Sequence, residues 1–283
     1  MINYKKCSPN DINDMFEAFT KGFSDYIIKF DITKERFIEL FLKIEGNHTE
    51  YSFIAYDQDI PIGLILGGIK IYEGVKTLRC GTLAIDPQYR KQGVAQELFN
   101  RHYSTGIENG CQQLFLEVIN GNDKAISFYL KQGYEIKHNI FYYQLKDLSS
   151  LNHQVPDWIH IKQISFDQAQ SFYKEHDQSH INWQNDFDYQ KHFNNITCFG
   201  FYENDLLIGV LAISQTGKIF YLYVISSNRK NNIANHLLSF AIHKFNIENL
   251  NISITDNDEL KQFLIQNRFV LQSLSQHEMY LQI

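Results

Sequence analysis

The chain has 283 residues, 44% of them hydrophobic, and a formal net charge of −6 with no basic block. That length exceeds an ordinary single domain, and the apolar fraction can fill more than one core. Nucleic acid is excluded as the main partner, because phosphate backbones demand clustered Lys and Arg. The longest apolar runs, such as Ile60 to Ile69, are broken by glycine and fall far short of the ~20 residues of a membrane span, so no membrane partner is expected.

Met1 to Lys6 alternates as a short strand, Ile2–Lys6, and has no apolar core followed by a small-residue cleavage site. No secretory signal is expected, and the expected location is cytoplasmic. Two helices follow, Ser8–Phe23 and Thr33–Gly46, with Ser8 as an N-cap. Hairpin strands Tyr51–Tyr56 and Ile62–Tyr72 lead to a strand at Val75–Ile85. A helix spans Val94–Glu108, where Val94, Ala95, Leu98, Phe99, Tyr103 and Ile107 recur at i, i+3, i+4 and should pack it on the sheet. Strand Leu114–Val118, helix Asp123–Gln132 and strand Tyr134–Leu145 close the series. This order implies an α/β fold with a mixed sheet and helices on both faces.

Cysteines at 7, 80, 111 and 198 show no Cys-x-x-Cys spacing and read as buried free thiols. Of the 11 histidines, His176 and His180 alone fall at His-x-x-x-His spacing, none pairs with Cys at ligand spacing, and no metal is expected.

Between the strand ending at Ile85 and the helix starting at Val94 lies Arg90-Lys91-Gln92-Gly93-Val94-Ala95. A loop there aims backbone N–H groups and the positive end of a helix dipole at one point, a site for phosphate, and Gly93 lets the backbone approach closely. Further on, Asn122-Asp123-Lys124-Ala125-Ile126-Ser127-Phe128-Tyr129 opens a helix that stops at Gln132-Gly133-Tyr134. In this order the two segments resemble the GNAT superfamily of acyl-CoA-dependent N-acetyltransferases, whose loop reads Gln/Arg-x-x-Gly-x-Gly/Ala and whose later helix carries Asn-x-x-Ala-x-x-x-Tyr.

The resemblance implies acetyl-CoA as cosubstrate and direct attack on its thioester by the neutral amine of a small molecule or peptide, in a ternary complex through a tetrahedral intermediate. It also implies a splay between the fourth and fifth strands that admits the pantetheine arm. It places the pyrophosphate on Arg90, Lys91, Gln92, Gly93, Val94 and Ala95, with backbone N–H groups of Leu83, Ala84 and Ile85 toward the oxyanion. Asn122 reads as a helix cap, and relatives use this Asn near the pantetheine. Tyr129 stands where the family places the phenol that protonates the departing sulfur; without the motif it reads as a packed aromatic. Glu117 lies twelve residues before Tyr129, the separation found in the branch of the family that acetylates peptide N-termini, where that Glu is the base. Its other reading is a strand-face carboxylate in a salt bridge. Asp25, Tyr26 and Glu73 are reserve acceptor-side candidates.

The chain also repeats itself. Tyr56 to Leu64 matches Tyr202 to Val210, Ile85 through Ala95 is echoed by Ile225 through Ala234, and Asn122 to Tyr134 aligns without gaps on Asn257 to Phe269. Ser165 caps a helix as Ser8 does. A repeat of about half the chain means two similar domains, expected at 1–150 and 151–283 with a junction in Lys146 to Pro156. The expectation is a tandem pair of GNAT-like domains, each a mixed, mostly antiparallel sheet. In the second copy Asn232 replaces Gly93, Leu264 replaces Tyr129 and Arg268 replaces Gly133, so it reads as degenerate, its last loop turning differently. The whole is expected to be a monomer or weak homodimer; Trp158, Trp183 and Gln184 could wall the acceptor cleft from the second copy. The alternative is a non-catalytic acyl-CoA-binding or regulatory module.

Overall fold

The computed structural model describes residues 1–29, 31–151, 159–177 and 179–283, and for Lys230 and Asn231 the backbone alone. Trp158 and part of the expected junction, including Pro156, lie outside the described residues. The chain forms two compact units, one of Met1–Lys137 with Gln276–Ile283 and one of His138–Ser275.

In the first unit, β1 (Ile2–Lys6), β2 (His48–Asp57), β3 (Ile60–Tyr72) and β4 (Val75–Ile85) pair antiparallel in sequence order. Next comes β5 (Gln113–Ile119), parallel to β4. Alternation along β2 gives the sheet two apolar faces. Phe53 and Ala55 join the core under α3 (Val94–Glu108) and α4 (Asp123–Lys131). Ile54 and Tyr56 join the core under α1 (Ile12–Gly22) and α2 (Lys34–Phe37), which runs on as π-helix through Ile38–Ile44.

The sixth strand of this sheet is not the next one in sequence. β6 (Glu135–Leu145) pairs through Phe141–Leu145 with β11 (Leu250–Ile254) of the second unit. The partner of β5 is β12 (Val270–Gln282), whose Gln276–Gln282 runs antiparallel to Gln113–Ile119. Each unit therefore contains a stretch taken from beyond a boundary at Leu151, and neither compact unit coincides with 1–150 or 151–283. Neither β6 nor β12 alternates strictly between buried and exposed residues, so local pattern does not choose between partners.

The second unit repeats the plan with β7 (His160–Ile164), β8 (Ile196–Glu203), β9 (Leu206–Ser214), β10 (Lys218–Val224), β11 and β6, together with α5 (Phe166–His176), α6 (Phe187–Gln190), α7 (Ile233–Phe245) and α8 (Asp258–Gln266). Equivalent bonds recur: Asp86 N–H donates to Ile62 O and Ile225 N–H to Ile208 O, both at 2.9 Å. The expected difference at Arg268 is corrected here. Arg268 takes φ +63°, Gly133 φ +93°, and Tyr134 and Phe269 donate backward to Tyr129 O and Leu264 O alike. The turn is kept, at the strain of a left-handed non-glycine residue.

The buried stripe of α3 also differs from expectation. Val94, Leu98 and Phe99 face the sheet, but Tyr103 and Ile107 are 38% and 51% exposed, while His102, Thr105 and Gly106 are buried instead. Gly106 explains the swap, because a Cβ there would lie 2.8 Å from Leu114 Cδ2. The helix approaches β5 closely on its small residues, so its large apolar ones point away. All four cysteines are free and buried.

Candidate active site

The site is built where β4 and β5 part. They pair over Thr77–Arg79 and Gln113–Phe115 only, so β4 from Cys80 to Ile85 has no partner on its β5 side. A bulge marks the start of this open edge: Gly67 pairs with Cys80 and Leu66 with Thr82, leaving Gly81 extra. The bulge reverses the alternation of the strand. Leu78 and Cys80 face α3 and α4, and so do Leu83 and Ile85. A close approach makes glycine necessary at 81, since a Cβ would lie 2.2 Å from Asn47 Oδ1.

One end of the open edge meets the Arg90–Ala95 loop. Gly93 caps α3 with φ +84° and ψ −3°, Lys91 also has a positive φ of +62°, and a Cβ on Gly93 would meet nothing within 4 Å. The first helical bond runs from Glu97 N–H to Gly93 O, so the preceding N–H groups of Val94, Ala95 and Gln96 point out of the helix end. Lys91, Gln92 and Gly93 are exposed beside them. This is an anion cradle of backbone donors with clear space above a left-handed glycine.

Arg90 plays another part than the expected charge toward phosphates. Its Nε donates to Ile85 O at 3.1 Å, one Nη to Gly22 O at 3.0 Å, and both Nη atoms hold Asp25 at 2.7 Å. The guanidinium staples the end of α1 to the end of β4. Asp25, a reserve acceptor-side residue, is its counter-ion, and Arg90 holds the Asp25 carboxyl below the usual carboxylate range. Arg229 keeps only the strand half of this staple in the second unit, bonding Val224 O at the end of β10, and turns instead to Glu259 of α8.

On the α3–α4 face, Tyr129 is buried with its hydroxyl 3.9 Å from Cys80 Sγ. Burial, with the neighbouring Cys80 and Tyr134, raises its pKa well above that of an ordinary phenol. It therefore holds its proton at neutral pH. Asn122 caps α4, its Oδ1 accepting from Ala125 N–H at 3.3 Å, and its Nδ2 donates to Tyr26 Oη at 3.4 Å. That contact ties the α1–α2 loop to the start of α4. The counterpart of Tyr129, Leu264, is fully buried in the second core, and Asn232 takes φ +55°, so the second loop keeps the backbone and adds a side chain.

On the opposite face, the salt bridge expected of Glu117 is present and buried. Arg79 Nε and Nη2 reach Glu117 Oε2 at 3.0 and 2.6 Å, and Arg79 Nη1 reaches Glu45 Oε2 at 3.0 Å. Arg79 and Glu117 are 4% and 2% exposed. The other oxygen, Glu117 Oε1, is buried without a hydrogen-bond partner. Directly across the ladder from Glu117 stands Glu278 of β12, fully buried, with Tyr72 Oη donating to it at 3.5 Å. Burial raises the Glu117 pKa to about 7; Arg79 opposes this, and the negative charges of Glu278 and Glu45 add to it.

Glu117 and Tyr129 thus come to the same opening of the sheet from opposite faces. Sequence reasoning missed Arg79, Glu45, Asn47, Gly81 and Glu278. Arg79 was readable as a cation inside the apolar strand Leu78-Arg79-Cys80; Glu278 carried no signal, being 161 positions from its neighbour Glu117. Of the remaining candidates, Glu73 sits in the β3–β4 turn with φ +51°, Trp183 is buried in the second unit and Gln184 is half-buried there. Among the described residues no group of His, Cys, Asp and Glu could hold a metal ion, and no helix is long and apolar enough to cross a membrane.

The profile of the Acetyltransferase (GNAT) family matches residues 12–134. N-alpha-acetyltransferase 30 of Schizosaccharomyces pombe is 34% identical over 98 residues, covering 34% of this chain and 65% of its own length. Acetyltransferase SG1711 of Sodalis glossinidius is 33% identical over 79 residues, covering 28% of this chain and 53% of its own length. The chain thus spans between half and two thirds of these curated relatives. In fold it resembles a tandem GNAT protein from the clavulanic acid biosynthesis pathway, with TM-score 0.71, 12% identity, and coverage of 100% of this chain and 98% of the other.

Proposed function

We propose, from the match of residues 12–134 to the Acetyltransferase (GNAT) family, that this chain is a GNAT acetyltransferase that moves the acetyl group of acetyl-CoA to a primary amine. The observation that carries the reading is the opening of the sheet after Arg79 and Phe115, with a buried phenol on one face and a half-engaged carboxylate on the other. A non-catalytic acyl-CoA module would not need either group.

Acetyl-CoA supplies the acetyl group and its thiol leaving group. The backbone N–H groups at the start of α3 and in the Arg90–Ala95 loop would hold its pyrophosphate, and the open edge of β4 would hold its pantetheine arm as an added strand. N–H groups of the Gly81–Ile85 edge would face the carbonyl oxygen as charge develops on it. Glu117 Oε1 takes the proton of the incoming ammonium, which frees the nitrogen lone pair for attack on the thioester carbon. As the carbon–sulfur bond breaks, Tyr129 gives its proton to the sulfur, the second proton that the nitrogen sheds in becoming an amide restores the phenol, and Glu117 returns the first to solvent.

The first unit is the active copy in this reading and the second a degenerate one, since Asn232 and Leu264 stand where the loop glycine and the phenol would be. The acceptor is a small molecule or a peptide N-terminus, the latter suggested by the name of the fission-yeast relative. The test is thiol release from acetyl-CoA against a panel of amines, with mass spectrometry for the acetylated product. Release that no amine accelerates would sink the reading.

A further inference from the structure

We propose that Cys80 is a positioning residue for Tyr129: its sulfur accepts the phenol hydrogen bond in the resting protein and so keeps the hydroxyl turned toward the open edge of β4, ready for the departing thiol. The inference rests on the N-acetyltransferase reading, in which Tyr129 protonates that thiol, and adds the residue that aims it.

Cys80 is the first residue of β4 beyond its ladder with β5, and its side chain joins the core under α3 and α4 just before the Gly81 bulge. Its Sγ lies 3.9 Å from Tyr129 Oη and 3.7 Å from Thr82 O. The two contacts fix which group donates. A thiol has one proton and a carbonyl oxygen can only accept, so the Cys80 S–H goes to Thr82 O and the sulfur lone pair takes the phenol O–H. The reverse order would leave the Tyr129 proton buried with no acceptor among the described residues. The ring itself is held by packing, edge-on to Phe128 at 5.4 Å and to Tyr134 at 5.6 Å. Packing therefore places the phenol, and Cys80 sets the direction of its proton.

Sulfur suits this task because it is a weak acceptor. The hydroxyl is held in one direction yet is easily given up to a second sulfur that arrives with the cosubstrate. Cys80 does not itself take the acetyl group. Burial pushes its thiol up to about 11, so almost no thiolate exists at neutral pH to attack a thioester.

The test pairs two substitutions that remove similar bulk. Cys80→Ala deletes the acceptor, while Cys80→Ser keeps a group that can accept from Tyr129 and donate to Thr82. In thiol release with the best amine of the panel, kcat of Cys80→Ala should fall about tenfold, the rate equivalent of one ordinary hydrogen bond, with acetyl-CoA affinity by calorimetry unchanged. Cys80→Ser should recover most of that loss, and Cys80→Ala added to Tyr129→Phe should lower kcat no further, because the two groups act as one. Equal kcat in Cys80→Ala and Cys80→Ser, or a further tenfold fall in the double variant, would overturn the inference and leave Cys80 a packing residue. A second measurement needs no change at Cys80. All four cysteines are free, and one of their infrared S–H bands should move to higher frequency in Tyr129→Phe, since a sulfur that accepts a bond donates its own more strongly. Four unmoved bands in a protein that turns over would overturn the role of Cys80 alone; wild-type protein that releases no thiol with any amine would overturn the transfer reading and this inference with it.

Discussion

The rate of acetyl transfer should follow the ionisation of Glu117, and the pocket around it sets where. Its pKa is raised to about 7 by burial and by the charges of Glu278 and Glu45, against the pull of Arg79. If the carboxylate takes the proton of an ammonium, kcat/KM depends on ionised Glu117 and protonated amine in the free species. At pH 6 roughly one Glu117 in eleven is ionised and at pH 8 roughly ten in eleven. The profile should therefore climb about tenfold between these values, then stay level up to the amine's own pKa near 10. Glu117→Gln should remove the climb and lower the plateau by roughly 10²- to 10⁴-fold, the usual share of a general base. Glu278→Gln takes a like charge from beside Glu117 and should move the inflection to lower pH. The assay is thiol release at saturating acetyl-CoA with butylamine in buffers of constant ionic strength. A profile with no inflection near neutrality, or one that survives unchanged in Glu117→Gln, would remove Glu117 as the base and leave it a buried ion-pair partner of Arg79.

Tyr129→Phe deletes the hydroxyl near Cys80 and little else, so acetyl-CoA affinity by calorimetry should hold while kcat falls roughly 10²-fold or more; an unchanged kcat would strip Tyr129 of its role. Gly93→Asp puts a carboxylate into the open space of the cradle at a left-handed position, and calorimetric binding should be lost; the wild-type stoichiometry should be one per chain, a value of two contradicting a degenerate second copy. His102 is fully buried with both ring nitrogens unpartnered, and burial pushes its pKa from 6.5 to about 3. A base whose folded pKa is depressed stabilises the fold above its unfolded pKa and loses that contribution as pH falls from 6.5 toward 3, an effect of order 5 kcal/mol. His102→Leu should flatten this acid limb in urea melts at pH 7 and pH 4, and an equally steep limb in the variant would refute the assignment.

Much of the fold was legible because local signals agreed. The limits of α3 follow from a left-handed glycine at 93 and a sustained helical period, and β4 ends where the apolar run ends at Ile85. The loop and the phenol of α4 were legible for the same reason, since both belong to short motifs with fixed spacing. What escaped was non-local. Tyr103 and Ile107 were misjudged because close packing at Gly106 rotates the face that the apolar count alone would choose. Arg268 shows a tertiary frame imposing a backbone angle that its side chain disfavours. Arg90 looked like a phosphate ligand until Asp25, 65 residues earlier, came to meet it. Glu117 and the two carboxylates beside it, Glu45 and Glu278, come from three separate segments, and no window of sequence contains them together.

The pairing of residues 276–282 with 113–119 also bears on how the molecule is made. Closing a ladder between segments so far apart incurs the loop entropy before any contact returns it, which slows the step. All of His138–Ser275 is synthesised before the partner of β5 exists, so during translation β5 is an unpaired edge with its N–H and C=O groups open to other strands. The carboxylate environment of Glu117 is incomplete for that whole interval. Acquisition of neutral-pH activity should then be the last event of folding and report directly on the docking of the C-terminal strand.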